Sequence, residues 1–262
     1  MISRIWIAFR IELKKVLKQR FIYISGAFVL LASLSTLGIS AVHKDQSSDY
    51  DYVVRATSLT MNWLIPLMTI IFGALTLSAE YTSGALRFML VRPLRRVEYL
   101  YAKILVTVFY AVTLTTLAVT AAWVVIVLKG DLAGVYYGGE VLFTNMEIVR
   151  DYALGCLTYL LPLSAAATYA VFLSTVVRNT GTAVGSAIGL WVVFDALKYP
   201  LRLEQFMFTS YTEFPWRVFV QHCQGIDSYW RPGIFYCVGS CLAAVLVFLS
   251  AASLIFRRQD IP

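Results

Sequence analysis

Charge is what this chain has least of. Asp, Glu, Lys and Arg together make up 14% of its 262 residues, against 59% hydrophobic residues, and the mean hydropathy is +0.72. A soluble domain carries about 25% charged residues, so a soluble enzyme of ordinary composition is excluded. Disorder is excluded by the same scarcity, because a solvated chain does not tolerate this much apolar surface and no low-complexity tract interrupts it. Histidine is confined to His43 and His222. No H-E-x-x-H, G-x-S-x-G or G-x-x-x-x-G-K-[ST] pattern occurs, so metal, acyl-transfer and phosphate-loop chemistry have no recognisable foothold. Of the four cysteines, Cys156, Cys237 and Cys241 lie in apolar runs and Cys223 outside them. Cys237 and Cys241, one helical turn apart, read as small buried residues, while a Cys223–Cys237 disulfide is geometrically open.

What the chain has in abundance is long apolar runs. A helix needs about 20 such residues to cross a hydrocarbon core. Windows of that kind fall at 21–42, 56–79, 104–128, 152–177, 179–198 and 232–256. They are too long and too little alternating for transmembrane β-strands. The fold class is therefore an all-α polytopic membrane protein, 1–262 forming a single transmembrane domain with six spans. The first span follows a 20-residue segment and has no small-residue cleavage site, so it reads as a retained span and not a signal peptide.

Six spans place both termini on one side, and basic residues decide which side that is. Arg4, Arg10, Lys14, Lys15, Lys18 and Arg20 precede span one, and Arg87, Arg92, Arg95, Arg96 and Lys103 fall between spans two and three. With Arg178, Arg257 and Arg258 they hold most of the 22 basic residues. Both termini are expected in the cytoplasm of a multi-pass protein of the cell (inner or plasma) membrane. The net charge of +7 reads as a topology and lipid-headgroup signal, with membrane lipids as partners and no nucleic acid.

Several segments carry more information than hydropathy. Residues 1–20 plot as an amphipathic surface helix: Ile2, Ile5, Trp6, Phe9, Leu13, Val16 and Leu17 fill one sector and Arg4, Arg10, Lys14, Lys15 and Lys18 the opposite one, with Ile7 and Ile11 as exceptions. In span two, Asn62, Pro66, Thr69, Gly73 and Thr76 share one helix face. They read either as interhelical packing or as the lining of a translocation path. Span five carries the ladder Gly181, Gly185 and Gly189, a groove for close contact within the chain or between two copies. Asp195 and Lys198, three residues apart, form an expected interfacial ion pair. Residues 199–231 hold Phe206, Phe208, Tyr211, Phe214, Trp216, Phe219, Tyr229 and Trp230 and predict short interfacial or re-entrant helices before span six. Residues 42–55, with Asp45, Asp49 and Asp51, read as a solvated connection.

Residues 80–98 are the most informative stretch. Glu80 stands where an acid favours a helix N-terminus, Leu86, Met89 and Leu90 share a face, and Pro93 stops the helix. The expectation is a short basic amphipathic helix pinned between two spans. Glu80, Gly84, Leu86, Leu90, Pro93, Arg96 and, at the start of span three, Lys103 match in order a pattern of the permease subunits of the ABC-2 family of prokaryotic ATP-binding cassette exporters, which this chain resembles. Ala85 stands where that family has Thr. The layout of surface helix, six spans, connection after span two and membrane-dipping segments before span six is also similar.

The resemblance implies a transport subunit and not an enzyme. It implies that 80–98, with Arg87 and Arg95, is a coupling helix seated on an ABC ATPase (nucleotide-binding) subunit. No cofactor is expected on this chain, since ATP and magnesium would sit on the partner. The resemblance further implies a second permease copy or a paralogue, with spans two and five at their interface. Asn62, Thr69, Gly73, Thr76, Gly181, Gly185 and Gly189 are then candidates for pathway lining or dimer contact. A path poor in charge suits a hydrophobic or amphiphilic cargo such as a drug, peptide or lipid. Two other classes stay open at this point: an ion-coupled secondary transporter using Asp195, and a non-transporting scaffold or regulator that docks an ATPase.

Overall fold

The computed structural model describes residues 2–42, 51–84, 95–129, 135–137, 140–226 and 228–258. The chain starts with α1 (Ile2–Val16) and, after a three-residue break, α2 (Arg20–Val42). Their axes meet at 72°. Helices α3 (Asp51–Leu59) and α4 (Ile65–Ser83) are joined by a π-helical turn, Thr60–Leu64, and run on as one rod. Next come α5 (Arg96–Lys129), the two-stranded antiparallel hairpin β1 (Val135–Tyr137) and β2 (Glu140–Phe143), and α6 (Asn145–Val176). The chain continues with α7 (Thr180–Leu197), a 3-10 turn at Phe208–Tyr211, α8 (Phe214–Cys223) and α9 (Gly233–Arg258).

The all-α polytopic class holds. Among the described residues, five rods are long and apolar enough to cross a bilayer: Tyr52–Ser83, Arg96–Val125, Asn145–Val176, Thr180–Leu197 and Gly233–Arg258. The remaining expected span, 21–42, coincides with α2, which meets the same length and hydropathy standard only together with α1 across their bend, as a broken span or a re-entrant loop.

Helix α6 lies at the centre, against α4, α5, α7, α8 and α9. Its sequence explains why. Ala165, Ala166, Ala167 and Ala170 are buried and let neighbouring backbones approach, while Tyr159 and Tyr169 fill the wider gaps. The tightest approach is to α4, where a Cβ on Gly73 would stand 2.6 Å from the Ala170 Cβ. Ser174 seals that seam: its hydroxyl donates to the Ala74 carbonyl (2.7 Å) and accepts from the amides of Leu77 (3.1 Å) and Ser78 (2.9 Å). The π turn has a comparable cause, since the Met61 carbonyl is taken by the Tyr159 hydroxyl from α6.

Several boundaries differ from expectation. Part of the connection at 42–55 is already helical from Asp51, because Tyr52 and Val53 pack inward and the Tyr52 hydroxyl donates to Ser33 O of α2 (3.0 Å). Residues 43–50 lie outside the described residues. Helix α5 begins at Arg96, well before 104, because Glu98 at its third position accepts a hydrogen bond from the Arg95 amide (3.0 Å) and caps the start. Helix α6 begins at Asn145 and not at 152. Thr144 and Glu147 form a reciprocal capping box that nucleates the extra turns. The hairpin was signalled by Gly138-Gly139 between two β-branched and aromatic runs, a turn dipeptide the hydropathy windows pass over. The segment before the last span does form short helical pieces, the 3-10 turn and α8. Their aromatics Phe208, Tyr211, Trp216 and Phe219 pack onto the bundle, whereas Phe206 and Tyr229 stay exposed.

Candidate functional site

The end of the molecule where α1, the last turn of α4 and the first turns of α5 meet holds a buried ionic cluster. Lys103 of α5 donates to Glu12 Oε2 of α1 at 2.6 Å and to Glu80 Oε1 of α4 at 2.7 Å. Lys15, one turn on from Glu12, pairs with Glu80 as well. The Tyr99 hydroxyl sits between the two carboxylates, within reach of Glu12 Oε1 (3.3 Å) and Glu80 Oε2, and the Lys103 ammonium lies 5.2 Å from the Tyr99 ring centre. Glu12, Glu80, Tyr99 and Lys103 are each under 5% exposed. Two carboxylates and two ammonium groups balance, which is what permits their burial.

This placement changes the role read for Glu80. It stands in the last turn of α4 and not at the start of a separate helix. The span continues through Ser83 and stops at Gly84, which takes the left-handed conformation (φ 67°) that ends helices and favours glycine. Glu80 and Lys103 therefore face inward, toward each other, and join three helices. Arg95 and Arg96 lie at the head of α5 and are exposed. Leu86, Arg87, Leu90 and Pro93 lie outside the described residues.

Glu12 is the residue that sequence reasoning missed. It is the sole acid in the first 44 residues, and it sits among Ala8, Phe9 and Val16, which are buried. An acid on an apolar helix face was the available signal. The surface-helix wheel needs the matching correction: Ala8, Phe9, Glu12 and Val16 turn into the protein, while Trp6, Ile7, Ile11 and Leu17, on both sides of the expected boundary, are exposed.

The stripe on span two divides. Thr69 is fully buried with its hydroxyl on the Ile65 carbonyl (2.8 Å), and Gly73 is the close-approach point to α6. Both serve packing within the chain. Thr76 is half-buried and bonds to the Gly73 carbonyl (2.7 Å); Asn62 lies half-buried in the π turn beside Trp63, which meets Trp191 of α7 edge-on. The ladder on α7 behaves differently. Gly181 follows the cap, where Asn179 Oδ1 accepts from the amides of Gly181 (2.9 Å) and Thr182 (3.3 Å). A Cβ added at Gly185 or Gly189 would meet nothing within 4 Å. That groove faces away from the rest of the chain.

At the opposite end, Lys198 donates to Asp195 Oδ1 at 2.6 Å, with the lysine side chain 2% exposed. A second polar cluster there was not legible in the sequence: His222 of α8 contacts Asp151 of α6 through Nδ1 (2.6 Å) and the Ser228 carbonyl through Nε2 (2.7 Å), and Trp230 Nε1 donates to Asp151 Oδ1 (3.3 Å). These contacts fasten α8 to the bundle. All four cysteines are free, and burial, with Asp151 nearby, pushes the Cys223 thiol up to about 12.

Comparison with known proteins agrees with this architecture. The uncharacterized protein YhcI of Bacillus subtilis (strain 168) is 27% identical over 157 residues, which cover 55% of this chain and 47% of that protein. The chain thus spans about half the length of the curated relative it matches. Residues 8–190, a stretch that includes the ionic cluster, the α4–α6 seam and the whole glycine ladder, match the family described as ABC-2 family transporter protein. The chain belongs to that family, and its long apolar helices make it a multi-pass membrane protein.

Proposed function

We propose that this chain is one permease half of an exporter for a hydrophobic or amphiphilic substrate, with both termini in the cytoplasm. Two such halves, either two copies or this chain and a paralogue, enclose the path. ATP and magnesium are held by two separate ATPase subunits docked at the end formed by α1, the last turn of α4, the first turns of α5 and the last turn of α9.

The observation that carries the docking assignment is a groove of about 370 Å³ at that end, bounded by Arg95, Arg96, Val97, Glu98, Tyr101 and Arg257. Three arginines against one acid suit an acidic surface on a soluble partner. Glu98 also caps α5, and the groove's rim keeps a net positive charge. The ionic cluster directly behind the groove ties α5 to α1 and α4, so force applied at Arg95 and Arg96 reaches three helices at once. Glu80 and Lys103 then act as positioning residues and the arginines as the contact. ATP-driven closure of the partner pair would shift the population between two arrangements of the helices.

The test is purification of tagged chain from native membranes in mild detergent. A Walker-motif ATPase is expected in equal amount, and its ATPase activity should couple to transport. Arg95→Ala with Arg96→Ala should leave membrane insertion intact and lower both the co-purified ATPase and transport. Wild-type levels of both would remove the groove from the docking surface.

The glycine groove on α7 supports the second half of the proposal. It is open, it lies on a largely exposed apolar helix, and glycines four apart allow a partner helix to approach closely. Gly185→Leu should convert cross-linked dimer to monomer while the monomer keeps its thermal stability. An undisturbed dimer would take this face out of the interface.

A further inference from the structure

Beside the ionic cluster lies a cleft of about 260 Å³ whose chemistry changes along its length. Its wall on α4 runs from Phe72 through Leu75, Thr76 and Ala79 to Ser83, one face of three helical turns and about 16 Å at 1.5 Å per residue. The deep part is apolar, closed by Phe72 and by Val106 of α5, and its floor is stiffened by an aromatic stack of Phe21, Phe72 and Tyr110. The shallow part is polar, with Lys15, Gln19 and Ser83 at the bend between α1 and α2.

An apolar channel with a polar mouth is the shape of an amphiphile, and the charge at the mouth selects its head. Gln19 lines the mouth between Lys18 and Arg20, all three are exposed, and no acid occurs from Leu13 to Lys44. The carboxylates of the neighbouring cluster, Glu12 and Glu80, are already held by Lys103, Lys15 and Tyr99. We propose that the cleft binds one anionic phospholipid, its phosphate at the Lys18–Arg20 bend and an acyl chain along Phe72, Leu75 and Val106. The inference rests on the reading of α1 as a helix lying at the membrane surface. The lipid would act as a wedge between α1 and α4, next to the cluster that links them.

The test titrates the detergent-purified full chain separately with phosphatidylglycerol, phosphatidylcholine and inorganic phosphate, reading thermal stability and, by native mass spectrometry, bound lipid. Phosphatidylglycerol should bind one per chain and raise the melting temperature. Gln19→Glu places an acid at an exposed position of the mouth. It should weaken that binding about tenfold, the scale of one hydrogen bond to a charged group. Leu75→Trp should fill the channel and abolish the one-to-one complex. Equal binding of phosphatidylcholine, or an unchanged Gln19→Glu variant, would overturn the headgroup site. Protection by inorganic phosphate alone, with Leu75→Trp silent, would overturn the acyl channel. Either failure leaves ATPase co-purification, measured separately, as it was, so it is distinguishable from failure of the docking assignment.

Discussion

Lys103→Met is expected to release α1 from the bundle and to destabilise the fold by about 3–5 kcal/mol, the scale for removing one partner from a buried ion pair. The reason is the imbalance left behind. Lys103 is the shared donor to Glu12 and Glu80, and without it two carboxylates face each other in a dry site with only Lys15 and the Tyr99 hydroxyl between them. Methionine preserves most of the volume, so lost packing is a minor part of the effect. The measurement is thermal unfolding in detergent, together with limited proteolysis at the basic residues of α1, which should become cleavable.

A companion variant separates charge imbalance from any other consequence of the substitution. Glu12→Gln, Glu80→Gln and Lys103→Met together remove both acids and the shared cation. The remaining cation, Lys15, has a side chain 36% exposed and can turn to solvent. Replacing a buried ionic group is often neutral for stability, so this triple variant should recover most of the stability lost in Lys103→Met. Its ATPase-driven transport should still be impaired, since Gln and Met hold α1, α4 and α5 together less stiffly than charge-assisted hydrogen bonds. A single variant as stable as wild type would show that the cluster is solvated and that α1 is held by its apolar contacts alone. Full transport in the triple variant would remove the cluster from force transmission.

How much of this was legible in the chain follows from how local each signal is. Span positions come from hydropathy summed over one window, and five of the six windows correspond to rods that stand on their own. Arg96 and Asn145 as helix starts were also readable, through Glu98 and the Thr144–Glu147 box, but those caps lie outside apolar windows and hydropathy alone does not weigh them. The pairing of Glu12 with Lys103 joins residues 91 apart, and that of Asp151 with His222 residues 71 apart. Nothing in the spacing of one helix says which other helix will stand beside it. The same limit explains the glycines: Gly73 and Gly185 each sit on a face of small residues, and only the neighbours show that one is packed inside the chain and the other is open.

That contrast yields the second large effect. Gly73→Val should destabilise the chain strongly, because its Cβ would fall 2.6 Å from the Ala170 Cβ and 3.3 Å from the Thr107 Cγ2, with the Ala167 carbonyl at 3.5 Å. Ala170 has no rotamer to give, so α4 and α6 must part. Parting them stretches the Ser174 contacts to Ala74, Leu77 and Ser78, which leaves polar groups unpaired in an apolar seam. Overpacking alone costs about 1–3 kcal/mol, and the seam's hydrogen bonds add to it. Gly73→Ala should show a smaller loss of the same kind, and Ala170→Gly in the same chain should relieve it, since the methyl group is then moved across the seam and not added to it. Thermal unfolding of the four chains forms a double-mutant cycle with a favourable coupling. Additive losses would mean that the two helices are held apart by other residues and that Gly73 is not the contact that sets their distance.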